Sequence, residues 1–401
     1  MYNNLRNFVI FIVYKKFTQM VIAVNTRLLL KNKFEGIGWF TYETLRRITG
    51  DHPEHEFIFL FDRPYDSSFI FSGNVKPIVL GPPTRHPILW HYWFNCRIPK
   101  ILKKYKADIF LSPDGYLSLR TNVPQLAVIH DINFFHRPKD LPLFTSYYYN
   151  HYFPKFARRA HRLATVSDYS KNDIAKSFNL NPDNIDVVYS GSNTMFTALP
   201  LEEIRETRNK YTQGQPYFLF IGALHPRKNV EGLLEAFDRY KSKTGLAEKL
   251  VVVGGQMFKT GTIYDVWSWM QHRQDVIFTG RISTEELRQI LGSALSLTFV
   301  PFFEGFGLPV VEAMSASIPV ICSNTTSLPE VGGDAAVYVD PANVEEIASA
   351  MEKISSDEEL RKKLVERGNE QHKKFSWDKS ADKLWESIET TVASVQNNRL
   401  K

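Results

Sequence analysis

Residues 296–314 read SLTFVPFFEGFGLPVVEAM. Ser296 to Val300 is a short apolar run without helical period, as expected of a buried strand. Gly305 and Gly307 then punctuate a loop, and from Gly307 onward the apolar positions recur at helical spacing. Strand, glycine loop and helix make half of a βαβ unit, and the same alternation continues outward in both directions. Strands are expected at 217–221, 248–254, 275–279, 296–301, 318–321 and 336–339. Helices are expected between and after them, at 229–243, 283–292, 307–315, 343–354, 357–371 and 377–395.

The first half of the chain repeats the pattern. Strands are expected at 21–24, 56–60, 77–80, 108–112, 125–129, 162–166 and 185–188, and helices at 37–49, 87–106, 143–160 and 169–178. A polar stretch around 190–214 separates the two runs. Such alternation predicts an α/β protein of two doubly wound, Rossmann-like domains with parallel sheets. The N-terminal domain is expected over 20–195 and the C-terminal one over 196–376, with a hinge near 191–200. A final helix occupies 377–401, with a route back to the first domain open to it. Residues 1–19 read as an extension before Met20. Their one apolar run, Phe8 to Val13, is too short to span a bilayer and lacks the cleavage site of a signal peptide.

Composition narrows the classes. A chain of 401 residues exceeds the size at which one core stops growing, so two domains are the default. With 43% hydrophobic and 23% charged residues, disorder, collagen-like repeats and coiled coil are excluded. The net charge of +6 suits an anionic partner such as a phosphate, but the charges are too interspersed to indicate nucleic acid. Cys96 and Cys322 stand in no ligand spacing, which favours a reducing compartment and argues against a disulfide or zinc framework. The stretch Arg85 to Lys106, RHPILWHYWFNCRIPKILKKYK, mixes rings and cations. It reads either as a surface for an anionic membrane or as an amphipathic helix with its rings in the core.

Doubly wound sheets bind ligands at the carboxyl ends of their strands. Four loops there carry chemistry. In the first, Glu304 and Glu312 bracket Gly305-Phe306-Gly307, where backbone N–H groups can approach a ligand and carboxylates can accept from a vicinal diol. The alternative is a helix cap and a solvated side chain. In the second, Arg227 and Lys228 follow a strand and precede a helix, a diphosphate site in principle, or else a solvated surface pair. In the third, His130 ends a strand and either meets a ligand or is structural. In the fourth, Gly36 and Gly38 open the first helix as a lone Gly-x-Gly. The full dinucleotide fingerprint is absent, since Thr41 holds the third glycine's place.

Taken together, EGFGLPVVEAM, GIGWFTYE, VIHD, TVSDYSKNDI, GALHPRKN and LPEVGGDAAVYVDP resemble the retaining glycosyltransferases of family 4. Glu304 and Glu312 form that family's E-x7-E motif. The resemblance implies the GT-B fold, in which two Rossmann-like domains face each other across a cleft. It implies that Glu312 binds the ribose diol of a nucleotide-sugar. Glu304 contacts the transferred sugar, and the N–H groups of Gly305, Phe306 and Gly307 bond its hydroxyls. Lys228 and Arg227 neutralise the diphosphate, Gly36 and Gly38 approach it, and His130 reaches the sugar near the reacting centre. No metal or other cofactor is implied, and no Asp-x-Asp occurs in the chain. Two departures stand out: Ala223 where many relatives have arginine, and Ser317 where glycine is usual.

The implied reaction is transfer of a hexose, mannose from GDP-mannose as the first choice, to an acceptor hydroxyl with retention. The acceptor is a saccharide or lipid-linked saccharide of surface polysaccharide or oligosaccharide synthesis. The expected location is the cytoplasm, with a peripheral position at the inner face of the plasma membrane left open. A GT-B-like nucleotide-sugar epimerase is the rival reading. A nucleic-acid-binding protein and a dinucleotide-dependent oxidoreductase are disfavoured by the dispersed charge and the missing fingerprint.

Overall fold

The computed structural model describes residues 19–31, 34–255 and 261–399. Apart from Gln19, the extension expected over 1–19 lies outside the described residues. The two parallel sheets expected from the alternation are both present. The first contains β1 (Val21–Asn25), β2 (Glu56–Phe61), β3 (Val75–Val79), β4 (Ile109–Ser112), β5 (Gln125–Val128), β6 (Arg162–Thr165) and β7 (Ile185–Val187), in the order β3-β2-β1-β4-β5-β6-β7. The second contains β8 (Tyr217–Ile221), β9 (Lys249–Val253), β10 (Val276–Gly280), β11 (Ser296–Phe299), β12 (Val320–Ser323) and β13 (Ala336–Val339), in the order β10-β9-β8-β11-β12-β13.

The central strands are buried on both faces. Ile22, Ala23 and Val24 are inaccessible, and every residue of β8 is buried. That is why they read as unbroken apolar runs rather than alternating ones. The described chain divides into two compact units. One holds the residues up to Ala127 with Arg159–His161 and the chain from Ile388; the other holds Val128–Arg158 and Arg162–Ser387. The last helix, Trp377–Arg399, is fastened by the Ser387 hydroxyl, which donates to Asp186 at 2.7 Å.

Three local features differ from the sequence reading. The helix expected over 87–106 is Pro87–Tyr92, a π-turn over Trp93–Arg97 and Ile98–Lys104. Pro99 has no N–H to give the carbonyl four residues back, so the ladder widens there. Trp93, Phe94, Ile98 and Leu102 of this stretch are wholly buried, which is the core-packing alternative. A helix over Leu201–Thr212 occupies the polar stretch; its mostly charged faces hid its period. A further helix, Gly261–Trp269, also went unread.

The second sheet's order locates the site. The chain builds outward from β8 through β9 to β10, then returns to place β11 on the other side of β8. The strand order therefore reverses between β8 and β11, and ligands in such sheets bind at that reversal. The loops leaving these two strands are 222–229 and 300–307, two of the four singled out above.

Candidate active site

The loop after β8 closes in a single 3-10 turn, Pro226–Lys228, capped by His225. The His225 Nδ1 accepts from the Arg227 N–H at 3.2 Å. Burial, and then the charge of Arg227, pushes this imidazole down to about 4. It is therefore neutral at physiological pH and keeps its acceptor role. Asn229 follows with a left-handed φ of 57°, and its amide donates to the carbonyls of Val300 (3.0 Å) and Pro341 (2.7 Å). The Phe302 N–H donates to the Arg227 carbonyl at 2.8 Å. The turn that carries two cations is thus stitched to the end of β11.

Those cations converge on one oxygen. Arg227 Nη1 lies 2.6 Å from Glu304 Oε1, and Lys228 Nζ pairs with the same atom. Arg227 also donates to the Phe303 carbonyl at 3.1 Å, and the Lys228 ammonium lies 4.8 Å from the centre of the Phe299 ring. Burial disfavours both charged forms. It draws the Lys228 ammonium below its ordinary value, against the pull of Glu304. Burial alone would raise the Glu304 carboxyl, yet Lys228 and Arg227 together hold it below the ordinary carboxylate range. The three groups carry one net positive charge, pre-aimed and largely shielded from water.

The glycine loop is held by its carbonyls. The Gly305 carbonyl accepts from the hydroxyls of Ser167 (2.7 Å) and Ser170 (3.2 Å). Those of Glu304 and Phe306 accept from the Ser327 hydroxyl, at 3.0 and 2.9 Å. With the carbonyls so engaged, the N–H groups of Gly305, Phe306 and Gly307 donate to no described residue. Consecutive unpaired N–H groups form an anion- and hydroxyl-binding nest. Two glycines are required here. A Cβ on Gly305 would fall 2.5 Å from the His130 carbonyl, and Gly307 has φ 109°.

Glu312 stands in the helix Leu308–Ser315 that follows the nest. It is part-exposed, yet burial pushes its carboxyl up to about 8. Among the described residues its carboxyl oxygens have no hydrogen-bond or ion-pair partner. A desolvated carboxyl without donors is an acceptor waiting for hydroxyls.

The structure thus brings Glu304, Lys228, Arg227, Gly305, Phe306 and Gly307 together, with His130 against Gly305 through its carbonyl. Gly36 and Gly38 occupy the first turn of the helix Gly36–Asp51, in the other compact unit. Of the two departures, Ser317 keeps the turn that glycine would make, with φ 58°. Sequence reasoning did not assign His225, Asn229, Ser167, Ser170, Ser327 or Glu330. Glu330 accepts from the Asp168 and Tyr169 N–H groups at 2.8 and 3.0 Å, holding the segment that carries both serines. The available signal was position: TVSDYS and TTSLPE both follow strands.

Both halves of the chain match known glycosyltransferase families. Residues 202–371 match the family described as "Glycosyl transferases group 1", and residues 34–196 match "Glycosyltransferase Family 4". The O-antigen chain mannosyltransferase B of Escherichia coli is 31% identical over 278 residues, covering 69% of this chain and 73% of that one. The O-antigen chain mannosyltransferase RfbU of Salmonella typhimurium is 26% identical over 271 residues, covering 67% and 71%. Among solved structures, a glycosyltransferase from Rickettsia africae superposes with a TM-score of 0.70 at 17% identity, covering 94% of this chain and 99% of that one. WaaG, a glycosyltransferase involved in lipopolysaccharide biosynthesis, gives 0.71 at 16%, covering 90% and 99%. With two GT-B-type parallel sheets and a match over both halves, the chain belongs to the family-4 glycosyltransferases.

Proposed function

We propose that this glycosyltransferase is a retaining, metal-independent hexosyltransferase that moves mannose from GDP-mannose to a hydroxyl of a growing surface polysaccharide or lipid-linked oligosaccharide. The observation that carries the reading is the joint placement of Arg227, Lys228 and Glu304 beside three backbone N–H groups that have no partner among the described residues. The mannosyltransferase relatives support the choice of sugar and of pathway class.

In this reading the diphosphate binds at Lys228 and Arg227. Negative charge gathers on it as the glycosidic bond breaks, and fixed buried cations stabilise that charge without reorganising. The N–H groups of Gly305, Phe306 and Gly307 and the Glu304 carboxylate orient the sugar, and His130 reaches it near the anomeric carbon. The acceptor hydroxyl attacks the face that the diphosphate leaves, and its proton passes to a leaving phosphate oxygen, which gives retention. Glu312 accepts from the ribose diol. Lys228 and Arg227 supply the positive charge that a divalent ion supplies elsewhere, so no cofactor enters the scheme. Among the described residues no helix is long and apolar enough to cross a membrane, and a cytoplasmic enzyme meeting its acceptor at the inner face of the membrane is the proposed location.

The test is product analysis with GDP-mannose and a mannoside acceptor, after EDTA treatment. An α-linked product that needs acceptor and survives EDTA is expected. Conversion of the nucleotide-sugar without acceptor would favour the epimerase; loss of activity restored only by Mn²⁺ or Mg²⁺ would overturn the fixed-cation scheme.

A further inference from the structure

The helix Leu143–Arg159 has the sequence LFTSYYYNHYFPKFARR, without a single acidic residue. Its buried side is ordinary: Tyr148, Phe153, Phe156 and Ala157 pack inward. Its exposed side is not. Leu143, Phe144 and Tyr147 are 80%, 75% and 67% accessible, among the most exposed large apolar side chains described. His151, Lys155 and Arg158 continue the same exposed line at steps of four, four and three residues, so all six share one face. The His151 ring stacks on Tyr147 with centroids 5.6 Å apart, and its Nε2 lies 2.7 Å from the Lys155 ammonium. The stripe therefore grades along the helix from aliphatic, through aromatic, to cationic, over about 20 Å at 1.5 Å per residue.

We propose that this stripe is the surface by which the protein rests on an anionic phospholipid bilayer. The grading matches the layers of a leaflet. Leu143 and Phe144 enter the acyl boundary, Tyr147 and His151 lie at headgroup level, and Lys155 and Arg158 meet the lipid phosphates. A second copy of the chain fits poorly. Pairing two such stripes antiparallel about a two-fold axis sets the apolar end of one against the cations of the other. The Arg85 to Lys106 stretch does not offer an equal surface, because Trp93, Phe94, Ile98 and Leu102 are inside the core. The inference stands on this helix alone and needs no step of the transferase reaction.

Flotation of the full chain with vesicles of phosphatidylethanolamine and phosphatidylglycerol tests it, with pure phosphatidylcholine as the comparison. The protein should float with the anionic vesicles, less so at high salt. Combined Leu143→Ser, Phe144→Ser and Tyr147→Ser should lower partitioning by at least about 100-fold. Lys155→Gln with Arg158→Gln should lower it about 10-fold. Circular dichroism and turnover of a soluble mannoside acceptor should be unchanged in both variants. Failure of the unaltered chain to float, or equal flotation of the serine variant, overturns the proposal. So does a solution dimer that the serine variant breaks while vesicles capture neither form. Flotation is read without turnover, so an inactive wild-type enzyme would count against the transferase reading and leave this result to stand or fall by itself.

Discussion

Glu312 gives the sharpest quantitative test. Its carboxyl is pushed up to about 8 by burial, and no described donor or cation relieves it. The ligand-free protein therefore carries it mostly protonated at neutral pH. Binding a ribose diol favours the ionised form, which can accept from both hydroxyls, so the proton should leave on binding. Only the ionised fraction is competent, and apparent affinity falls in proportion to it. From about 8, that fraction is about one tenth at pH 7 and about one hundredth at pH 6. Nucleotide-sugar affinity should accordingly weaken about 100-fold from pH 8.5 to pH 6, with nearly one proton released per molecule bound at pH 7. An intact nucleotide-sugar is the right probe, because its esterified diphosphate does not titrate in this range. Isothermal titration calorimetry in buffers of different ionisation enthalpy reads both quantities, and Glu312→Gln should abolish both. Affinity that stays flat between pH 6 and 8.5, or an unaltered pH dependence in Glu312→Gln, would refute the assignment of the diol to this carboxyl.

Glu312 should also leave a mark on folding: its native value lies above the unfolded one, so the native state holds the proton longer and loses relative stability as pH rises from about 4.5 to about 8. Glu312→Gln should match the wild-type melting temperature near pH 4.5 and exceed it at pH 8, as differential scanning fluorimetry would reveal. Lys228→Met keeps an unbranched side chain but removes the ammonium that lies over Phe299 and pairs with Glu304, and steady-state kinetics should record a fall in kcat of about 10²-fold or more with the fold retained. Ser167→Ala with Ser170→Ala releases the Gly305 carbonyl and should raise the donor KM with a smaller effect on kcat, while Ser170→Thr, which keeps a hydroxyl, should restore it. Gly305→Ala drives a Cβ to 2.5 Å from the His130 carbonyl, and it should lower both thermal stability and nucleotide-sugar affinity, measured in parallel by thermal shift.

Much of this architecture is legible in the sequence, and the reason is physical. Buried parallel strands must be apolar on both faces, so β8 reads as one unbroken run, whereas β11, with Ser296 and Thr298 inside it, is recognised by its short length and by the glycine loop that ends it. Residues that serve a ligand at a strand's carboxyl end also follow that strand in the chain, so Lys228 and Glu304 were exposed to inspection. What could not be read was which loops meet. Lys228 and Glu304 are 76 residues apart, and the Ser167 hydroxyl reaches Gly305 across 138. Such pairings follow from strand order, which periodicity does not encode. The helix Leu201–Thr212 was hidden for a different reason: only Thr207 and Thr212 are buried, so its period has almost no apolar signal.

The same distinction explains why the serines matter more than their chemistry suggests. A serine before a helix reads as a cap, and Ser167 is one, accepting from the Ser170 N–H at 3.0 Å. Its hydroxyl proton then has a second use, at the Gly305 carbonyl. Because a peptide's carbonyl and the N–H of the next residue lie in one plane, holding the Gly305 oxygen fixes where the Phe306 N–H points. Ser327 does the same for the Gly305 and Gly307 N–H groups through the Glu304 and Phe306 oxygens. Three donors without a partner among the described residues are thus aimed by hydroxyls that spend their own protons on the neighbouring carbonyls. A nest of bare backbone cannot be tuned by changing its own side chains, so its geometry has to be set from behind. If the nest seats the sugar as proposed, the buried serines, rather than the glycines, are therefore where altered sugar orientation should be engineered.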